Sequence, residues 1–487
     1  MIFNSVTYLL FLSLAVCLFW LLPRRPRLWM IFASSLVFYG FWRPEFVILM
    51  ICSAGTDFFA ARRMEGDVPQ AVRRRWLGLS LTVNLALLFY FKYLLFFVDN
   101  AVVVFHFFGA NVQAPVLNIV LPLGISFYTF QTISYVVDVY RRAIPAEKDF
   151  LLYGCFVTFF PQLVAGPILR GKELLNQLSQ KPVFHLDAFV SGLRRILFGL
   201  FLKVVIADNL APLVDEGFSG SVALMSAIDV LTLAFLFGFQ IYCDFSAYSH
   251  IALGSARLMG IHFPENFDFP YIARSPKEFW QRWHISLSSW VRDYLYLPLI
   301  GARVRDRSVG GLASAGDERV EGQWHPILAL YITWGVMGFW HGANWTFLFW
   351  GLYHATFIVV YRACEPVRTR LPRRLRDIGG WVITLVVGML AWIPFRARSL
   401  EETLGMFGLL MHPYNYTWLG MRENTYLIAA MLMVTFILVW FAHRERKRIA
   451  ALPALLLFGL QTALDGVVIG LVFVFLRPAT QFIYFQF

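Results

Sequence analysis

In the segment Val336-Met-Gly-Phe-Trp-His-Gly-Ala-Asn-Trp-Thr-Phe-Leu-Phe-Trp350, one histidine, His341, lies among residues that are almost all apolar or aromatic. An ionisable side chain in such a segment is costly to insert into a bilayer. By default it faces a bundle interior or a cavity and marks a functional site. A second histidine, His284, lies in the similar segment Phe279-Trp-Gln-Arg-Trp-His-Ile-Ser-Leu-Ser-Ser-Trp290. The pair suggests proton-transfer chemistry inside a membrane.

The composition is that of a membrane protein. Of 487 residues, 59% are hydrophobic and only 15% are charged, and the mean hydropathy is +0.62. Soluble domains carry about 25% charged and about 45–50% apolar residues. We therefore predict an all-α polytopic membrane protein.

The net charge of +12 does not indicate nucleic-acid binding. Basic residues cluster in short connections between apolar segments, for example Arg24–Arg27, Arg62–Arg75 and Arg141–Arg142. This pattern is typical of cytoplasmic loops, and anionic membrane lipids are the expected partners of such loops. The five cysteines show no CxxC spacing, so neither a disulfide framework nor a zinc site is predicted.

The loop charges also predict a topology. If residues 27–62 formed one span, the clusters Arg24–Arg27 and Arg62–Arg75 would lie on opposite sides of the membrane. A break at Pro44 places both clusters in the cytoplasm and the N-terminus outside. Proline supports the break because it lacks the N–H that continues a helix.

Several apolar segments are shorter than the ~20 residues of a membrane span or are interrupted. The segment 155–168 is predicted to break at Pro161 and again at Gly166-Pro167, and such a break is tolerated only inside protein or along a cavity. We expect a ring of about 11–13 transmembrane helices around re-entrant helices. The candidate spans are 29–42, 45–61, 77–98, 119–140, 150–168, 192–213, 223–243, 245–262, 279–300, 326–342, 344–362, 379–396, 425–442 and 456–476.

Polar residues at helical spacing predict two polar faces. Gln131, Ser134 and Asp138 share one face, which either contacts a ligand or hydrogen-bonds to neighbouring helices. Gln281, His284 and Ser288 are predicted to share another. Hydrogen bonding of a buried His284 to a backbone carbonyl is the structural alternative there.

The residues that follow His341 suggest how it could act. Gly342 permits close approach of another backbone or a substrate. Asn344, at i+3, is predicted to lie on the face of His341, where it could orient the imidazole or donate to an oxyanion. No HExxH spacing is present and no carboxylate lies within a turn of His341, so a metal site is not indicated; haem ligation is the cofactor alternative.

Six motifs resemble those of one enzyme family. They are Ile125-Ser-Phe-Tyr128, Ala165-Gly-Pro-Ile-Leu-Arg170, Tyr242-Cys-Asp-Phe-Ser-Ala-Tyr-Ser249, Pro264-Glu-Asn-Phe267, the segment 278–296 and Trp340-His-Gly-Ala-Asn-Trp345. The chain resembles the membrane-bound O-acyltransferases, specifically their bacterial alginate O-acetylation branch, and more distantly the D-alanyl transfer protein of teichoic acid. The resemblance runs almost from Phe3 to Arg398.

This resemblance implies an architecture and catalytic residues. His341 corresponds to the family's invariant histidine and His284 to its second catalytic histidine. The family fold is a helical ring pierced by a tunnel. We expect one membrane-embedded domain over 1–487, with a family-like core at about 3–398 and additional spans at about 425–476. We assign Asn344, Gln281, Ser288 and Asp244 to substrate binding.

The resemblance also implies substrates and partners. A cytoplasmic thioester, acetyl-CoA or another acyl donor, would supply an acetyl group without a cofactor. The group would pass across the bacterial inner membrane to a polysaccharide, through a periplasmic partner transferase of the SGNH-hydrolase type. In one motif this chain has Ala247 and His250 where the family commonly has glycine and aspartate, which affects the identity of the polysaccharide more than the reaction class.

Histidine suits acyl transfer because its unperturbed pKa of about 6.5 lets it accept and release a proton near neutral pH. We expect His341 to act as general base toward the acceptor hydroxyl. His284 would orient that hydroxyl or stabilise the oxyanion, with Asn344 as a supporting donor. A mechanism through a transient acyl-enzyme on a histidine or serine is an alternative to direct transfer. The alternatives are a proton-coupled transporter or flippase, which would predict inverted repeats that the sequence lacks, and a non-catalytic scaffold.

Overall fold

The structure is a computed structural model that describes residues 1–164, 166–302, 325–445, 448, 453–477 and 482. These residues form helices and turns, with no β-strand among them. They divide into two compact units. Unit 1 comprises Met1–Ile196 and Tyr248–Glu265, and unit 2 comprises Leu197–Ala247 and Asn266–Phe487. The predicted all-α class is therefore confirmed.

Among the described residues, six helices are long and apolar enough to cross a membrane. Other apolar helices are shorter, because glycine, proline and polar residues interrupt the hydrophobic segments. Val6–Leu21 is one of these shorter helices. The six long helices are Gln70–Phe107, Leu186–Ser219, Ala227–Leu258, Arg373–Arg396, Glu423–Arg444 and Leu455–Phe475.

The remaining bounds give the framework of each unit. The α-helices whose residues all lie in unit 1 are Val6–Leu21, Arg24–Gly40, Glu45–Met64, Gln70–Leu88, Leu94–Phe107, Ile125–Tyr140, Phe150–Thr158, Phe160–Leu163 and Gly171–Ser179. Those of unit 2 are Asp208–Ser219, Pro276–Arg282, Ile285–Val291, Leu297–Leu299, Pro326–His341, Trp345–Ala363, Glu365–Arg368, Arg373–Leu390, Trp392–Arg396, Leu400–Leu410, Glu423–Arg444 and Ala454–Phe475. Residues Phe89–Tyr93, Phe201–Ala207 and Arg292–Tyr296 are π-helical, and Val222–Leu224, Pro270–Ile272 and Pro413–Tyr416 form 3₁₀ turns.

The breaks predicted at Pro44 and at Gly166-Pro167 are confirmed, and the break predicted at Pro161 lies two residues earlier, at Phe159. One helix ends at Gly40 and the next begins at Glu45, directly after Pro44. The segment around Pro161 forms two short helices, Phe150–Thr158 and Phe160–Leu163, and the chain is non-helical again from Gly166 to Arg170.

One predicted break is wrong. The segments 223–243 and 245–262 were expected as separate spans, but the structure has a single helix, Ala227–Leu258. Asp244 does not interrupt it, because its carboxylate lies 2.8 Å from the Lys203 ammonium. An ion pair inside the protein keeps both charges away from lipid, so a charged residue can lie within an apolar helix without ending it.

The polar face of Ile125–Tyr140 is used, at least in part, for packing within unit 1. The Gln131 side-chain amide donates to the Phe156 carbonyl oxygen at 2.7 Å, and the Ser134 hydroxyl donates to the Gln131 carbonyl at 2.7 Å. For Gln131 the structure therefore favours hydrogen bonding to another segment over contact with a ligand.

Candidate active site

Two glycines allow the helix that ends at His341 to pack closely on the helix that follows. A Cβ on Gly338 would lie 2.3 Å from the Phe347 carbonyl oxygen, and one on Gly351 would lie 2.2 Å from the Trp334 carbonyl oxygen. Both distances are far inside van der Waals contact, so only glycine permits this approach. The two backbones thereby fix where His341 lies.

His341 is the last residue of its helix and its side chain is buried, with 4% exposure. Three aromatic rings surround the imidazole: Trp340 and Trp350, each with its centroid 4.9 Å away, and Phe395 at 5.1 Å. Their mutual packing holds the ring in an apolar environment. Phe395 belongs to the short helix Trp392–Arg396, which was not recognised as part of the site from the sequence.

The structure corrects the expectations for the residues after His341. A Cβ on Gly342 would lie 2.2 Å from the Phe347 ring, so this space is filled by protein. Asn344 does not share a helical face with His341, because the helix ends first. Asn344 instead caps the next helix, and its Oδ1 accepts the backbone N–H of Thr346 at 3.1 Å.

The backbone is broken at His284, which overturns a second expectation. His284 has φ +40°, in the left-handed region, and separates the helices Pro276–Arg282 and Ile285–Val291. Gln281, His284 and Ser288 therefore do not lie on one helical face. The Ser288 hydroxyl donates to the Trp283 carbonyl at 3.1 Å. Left-handed conformations are uncommon for residues other than glycine and concentrate at functional sites.

Asn266 holds the fully buried His284 side chain. Its Oδ1 lies 3.2 Å from His284 Nδ1 and accepts from the backbone N–H of Ser286 at 3.2 Å and from the Ser286 hydroxyl at 2.9 Å. Because a backbone N–H can only donate, the amide atom facing it is the oxygen. His284 Nδ1 beside this acceptor then carries the proton, and in the neutral ring Nε2 carries the lone pair.

The two imidazoles contact the same side chain. The Trp340 ring lies 4.9 Å from that of His341 and 6.2 Å from that of His284. On another side, His284 packs edge-on against Phe245 at 4.6 Å. The structure thus brings together the two histidines that the sequence singled out.

Asp244 has an ionic partner that the sequence did not indicate. The Lys203 ammonium lies 2.8 Å from Asp244 and 2.9 Å from Asp208, and Lys203 and Asp244 are almost completely buried. A buried carboxylate is stable as an ion only when it is paired in this way. Glu278 and Arg282, at i, i+4 spacing, form an ion pair at 3.1 Å.

Asn266, Ser286, Lys203 and Phe395 are the residues that sequence reasoning missed. Asn266 lies in the motif Pro264-Glu-Asn-Phe267, which carried part of the family resemblance, so that motif was a usable signal. Nothing local to Ser286 or Lys203 indicates their contacts, because both depend on residues distant in sequence or on the break at His284.

The described residues thus define a multi-pass membrane protein with two buried histidines at one indole ring. The sequence profile of the membrane-bound O-acyltransferase family matches residues 141–314. A probable alginate O-acetylase AlgI of Azotobacter vinelandii is 36% identical over 443 residues, covering 90% of this chain and 84% of the relative. A peptidoglycan O-acetyltransferase of Helicobacter pylori is 36% identical over 419 residues, covering 80% and 75%. A teichoic acid D-alanyltransferase of Streptococcus thermophilus is 31% identical over 246 residues, covering 49% and 56%.

The chain belongs to the membrane-bound O-acyltransferase family, and it is an O-acyltransferase. Its relatives include acetyl-transferring proteins named for two different polysaccharides, alginate and peptidoglycan.

Proposed function

We propose that this enzyme takes an acetyl group from a cytoplasmic thioester, acetyl-CoA or a related donor, and passes it across the membrane toward hydroxyls of an extracellular or periplasmic polysaccharide. The observation that carries the proposal is the pair of buried imidazoles at the Trp340 ring, in a chain whose relatives are named as O-acetylating proteins. A periplasmic partner transferase of the SGNH-hydrolase type would complete delivery to the polysaccharide.

The proposed architecture follows from this role. We propose that the chain forms one membrane-embedded domain over 1–487, with the family-like core at about 3–398, in the bacterial inner membrane. A ring of about 11–13 transmembrane helices around re-entrant helices would enclose a tunnel between the two faces. The helix breaks at Phe159 and His284 support this proposal, because irregular backbone at membrane depth must be surrounded by protein or line a cavity.

In the proposed reaction, His341 accepts the proton of the acceptor hydroxyl as the hydroxyl oxygen bonds to the thioester carbon. The carbon–sulfur bond then breaks, and the departing thiolate takes this proton from the His341 imidazolium, which leaves a thiol and restores the neutral imidazole. The aromatic rings around His341 exclude water, which would otherwise hydrolyse the thioester. His284 orients the hydroxyl through its Nε2 lone pair.

Four further residues are proposed to contact substrate. Asn344 uses its side-chain oxygen to cap a helix, which leaves its amide N–H groups as the donor toward an oxyanion. Gln281 and Ser288, although on separate helices, and Asp244 complete the proposed set.

The test is transfer of radiolabelled acetyl groups by the purified protein with the variants His341→Gln and His284→Gln. Glutamine keeps much of the volume and a hydrogen-bonding head but cannot act as a base at neutral pH. We expect His341→Gln to abolish transfer and His284→Gln to cost about 10²–10³ in rate, by analogy with the loss of an oxyanion-hole donor. His412→Gln, on an exposed histidine, is the matched control.

Two outcomes would contradict the assignment. Wild-type transfer by folded His341→Gln would remove His341 from the mechanism. A more severe loss in His284→Gln, with both proteins folded, would exchange the two roles.

A further inference from the structure

Unit 1 contains a basic cavity of about 290 Å³, outside the candidate active site. It lies between the end of the helix Val6–Leu21, the start of Arg24–Gly40, the connection around residues 177–189 and the end of Ala227–Leu258. A cavity needs about 10–15 Å³ of such volume to hold one water molecule, so this cavity has room for a group much larger than a water. It can therefore hold a substituted phosphate group rather than only a small ion.

The charge of this basic cavity is strongly one-sided. Arg24, Arg27, Lys181 and Arg257 line it, and none of its described lining residues is an aspartate or glutamate. Within the described chain, the side chains of Arg24 and Lys181 form no ion pair and no hydrogen bond to the protein. Four cations without a lining carboxylate favour an anion that carries more than one charge.

The other two cations are held in place by the protein. The Arg27 guanidinium donates to the carbonyl oxygens of Phe19 and Leu22, both at 2.8 Å. Arg257 donates to the Ser191 hydroxyl at 2.8 Å. A guanidinium fixed in this way presents its remaining N–H groups in a rigid fork, which matches the oxygens of a phosphate.

The wall of the basic cavity is aromatic and apolar. The rings of Trp20 and Phe184 pack edge-on at 5.3 Å, and Phe189 lies 5.7 Å from Phe184. Val183 lines the cavity with 65% of its surface exposed, and Phe184 is 52% exposed. A ligand with an anionic end and a flat or apolar remainder would be complementary to this surface.

We propose that the basic cavity binds the phosphoryl group of an amphiphilic ligand, a phosphate ester or diphosphate joined to a flat or apolar group. Two sources have this chemistry: the headgroup of an anionic phospholipid and the phosphorylated nucleotide end of a soluble thioester. The second source rests on the proposed function. The positive-inside rule assigns Arg24–Arg27 to the cytoplasmic side, where both sources occur.

The experiment uses the purified full chain in phosphatidylcholine nanodiscs. In the soluble arm, adenosine 3′,5′-bisphosphate is titrated calorimetrically. In the lipid arm, phosphatidylglycerol is added to the nanodiscs, and the molecules retained by the protein are counted by mass spectrometry. The variant Arg24→Gln/Lys181→Gln is compared with Arg74→Gln/Arg75→Gln, which removes two charges outside the basic cavity.

We expect Arg24→Gln/Lys181→Gln to weaken binding about tenfold in one arm, which identifies the source, while the control pair binds as the wild type does. Phe184→Leu should weaken binding in the same arm. The proposal is overturned if neither arm responds, or if both double variants weaken binding equally, since the effect would then be one of net charge.

A separate measurement keeps this proposal distinct from the proposed function. With a short acetyl thioester that has no phosphate, the transfer rate of Arg24→Gln/Lys181→Gln should equal that of the wild type. An absence of acetyl transfer in the wild type would contradict the proposed function and leave the binding result standing. A loss of transfer in the variant with this donor would contradict a role confined to phosphate binding.

Discussion

Replacing Asn266 by alanine tests whether this residue controls the state of His284. Asn266 is 1% exposed, and its Oδ1 is approached by three donors: His284 Nδ1, the Ser286 backbone N–H and the Ser286 hydroxyl. Asn266→Ala removes this acceptor and leaves both proposed catalytic histidines unsubstituted. The matched variant Ser286→Ala removes one donor and retains the contact between Asn266 and His284.

The structure gives the size of both effects. A buried N–H left without an acceptor costs about 1–3 kcal/mol, so Asn266→Ala should lower the free energy of unfolding by about that amount. The lost hydrogen bond to His284 contributes about 0.5–1.5 kcal/mol to the preference for the Nδ1–H tautomer. Because 1.36 kcal/mol corresponds to a tenfold change in the ratio of the two tautomers, and kcat follows the fraction in the Nδ1–H form, kcat should fall by at most about tenfold, with KM for the donor unchanged.

The assay combines initial rates of labelled acetyl transfer with thermal unfolding followed by the fluorescence of the 16 tryptophans. Asn176→Ala, in which an exposed side chain loses a hydrogen bond to the Lys172 carbonyl, is the control and should be silent in both measurements. If Asn266→Ala lowers stability but keeps the wild-type kcat, the tautomer argument is refuted. If Ser286→Ala lowers kcat equally, the effect is one of packing.

Two further predictions concern topology and helix packing. A cysteine introduced by Gln70→Cys should be labelled by an impermeant thiol reagent only after the cells are permeabilised, because the loop containing Arg62–Arg75 is expected in the cytoplasm. Labelling of intact cells above the wild-type background would show that this loop lies outside and would contradict the predicted topology. Gly351→Ala should destabilise the protein by about 1–3 kcal/mol and reduce transfer, because its Cβ would lie 2.2 Å from the Trp334 carbonyl oxygen. Gly379→Ala, with no atom within 4 Å, should be neutral or slightly stabilising, and equal effects of the two substitutions would contradict this reasoning.

Features encoded by neighbouring residues could be predicted from the sequence. The helix breaks near Pro44 and Pro161 follow from the missing proline N–H, and the pair of Glu278 and Arg282 follows from i, i+4 spacing on one helix. The two buried histidines proposed as catalytic were singled out in the sequence because a polar ring in an apolar segment requires an explanation. Each of these inferences needs only local covalent or helical geometry.

Features that depend on distant contacts could not be predicted. Helical spacing placed Gln281, His284 and Ser288 on one face, but the contact of Asn266 with His284 accompanies a break that no periodicity reveals. The expected break at Asp244 failed for a similar reason. Its charge is neutralised by Lys203, 41 residues earlier in the chain. Partners of this kind are set by tertiary structure.

The helix ends supply a physical reason for giving the two histidines different roles. His341 is the last residue of Pro326–His341, where the negative end of the helix dipole stabilises a positive charge by about 0.3–1 kcal/mol. The dipole therefore offsets part of the cost of burying the imidazolium that proton abstraction would form at this position. His284 precedes the helix Ile285–Val291, whose positive end disfavours the same charge, and Asn266 Oδ1 accepts the proton on Nδ1. A neutral His284 with its lone pair on Nε2 can accept a hydrogen bond from a hydroxyl but cannot donate one to an oxyanion from that atom. Of the two supporting roles considered for His284, this geometry favours orientation of the acceptor hydroxyl, with His341 as the base.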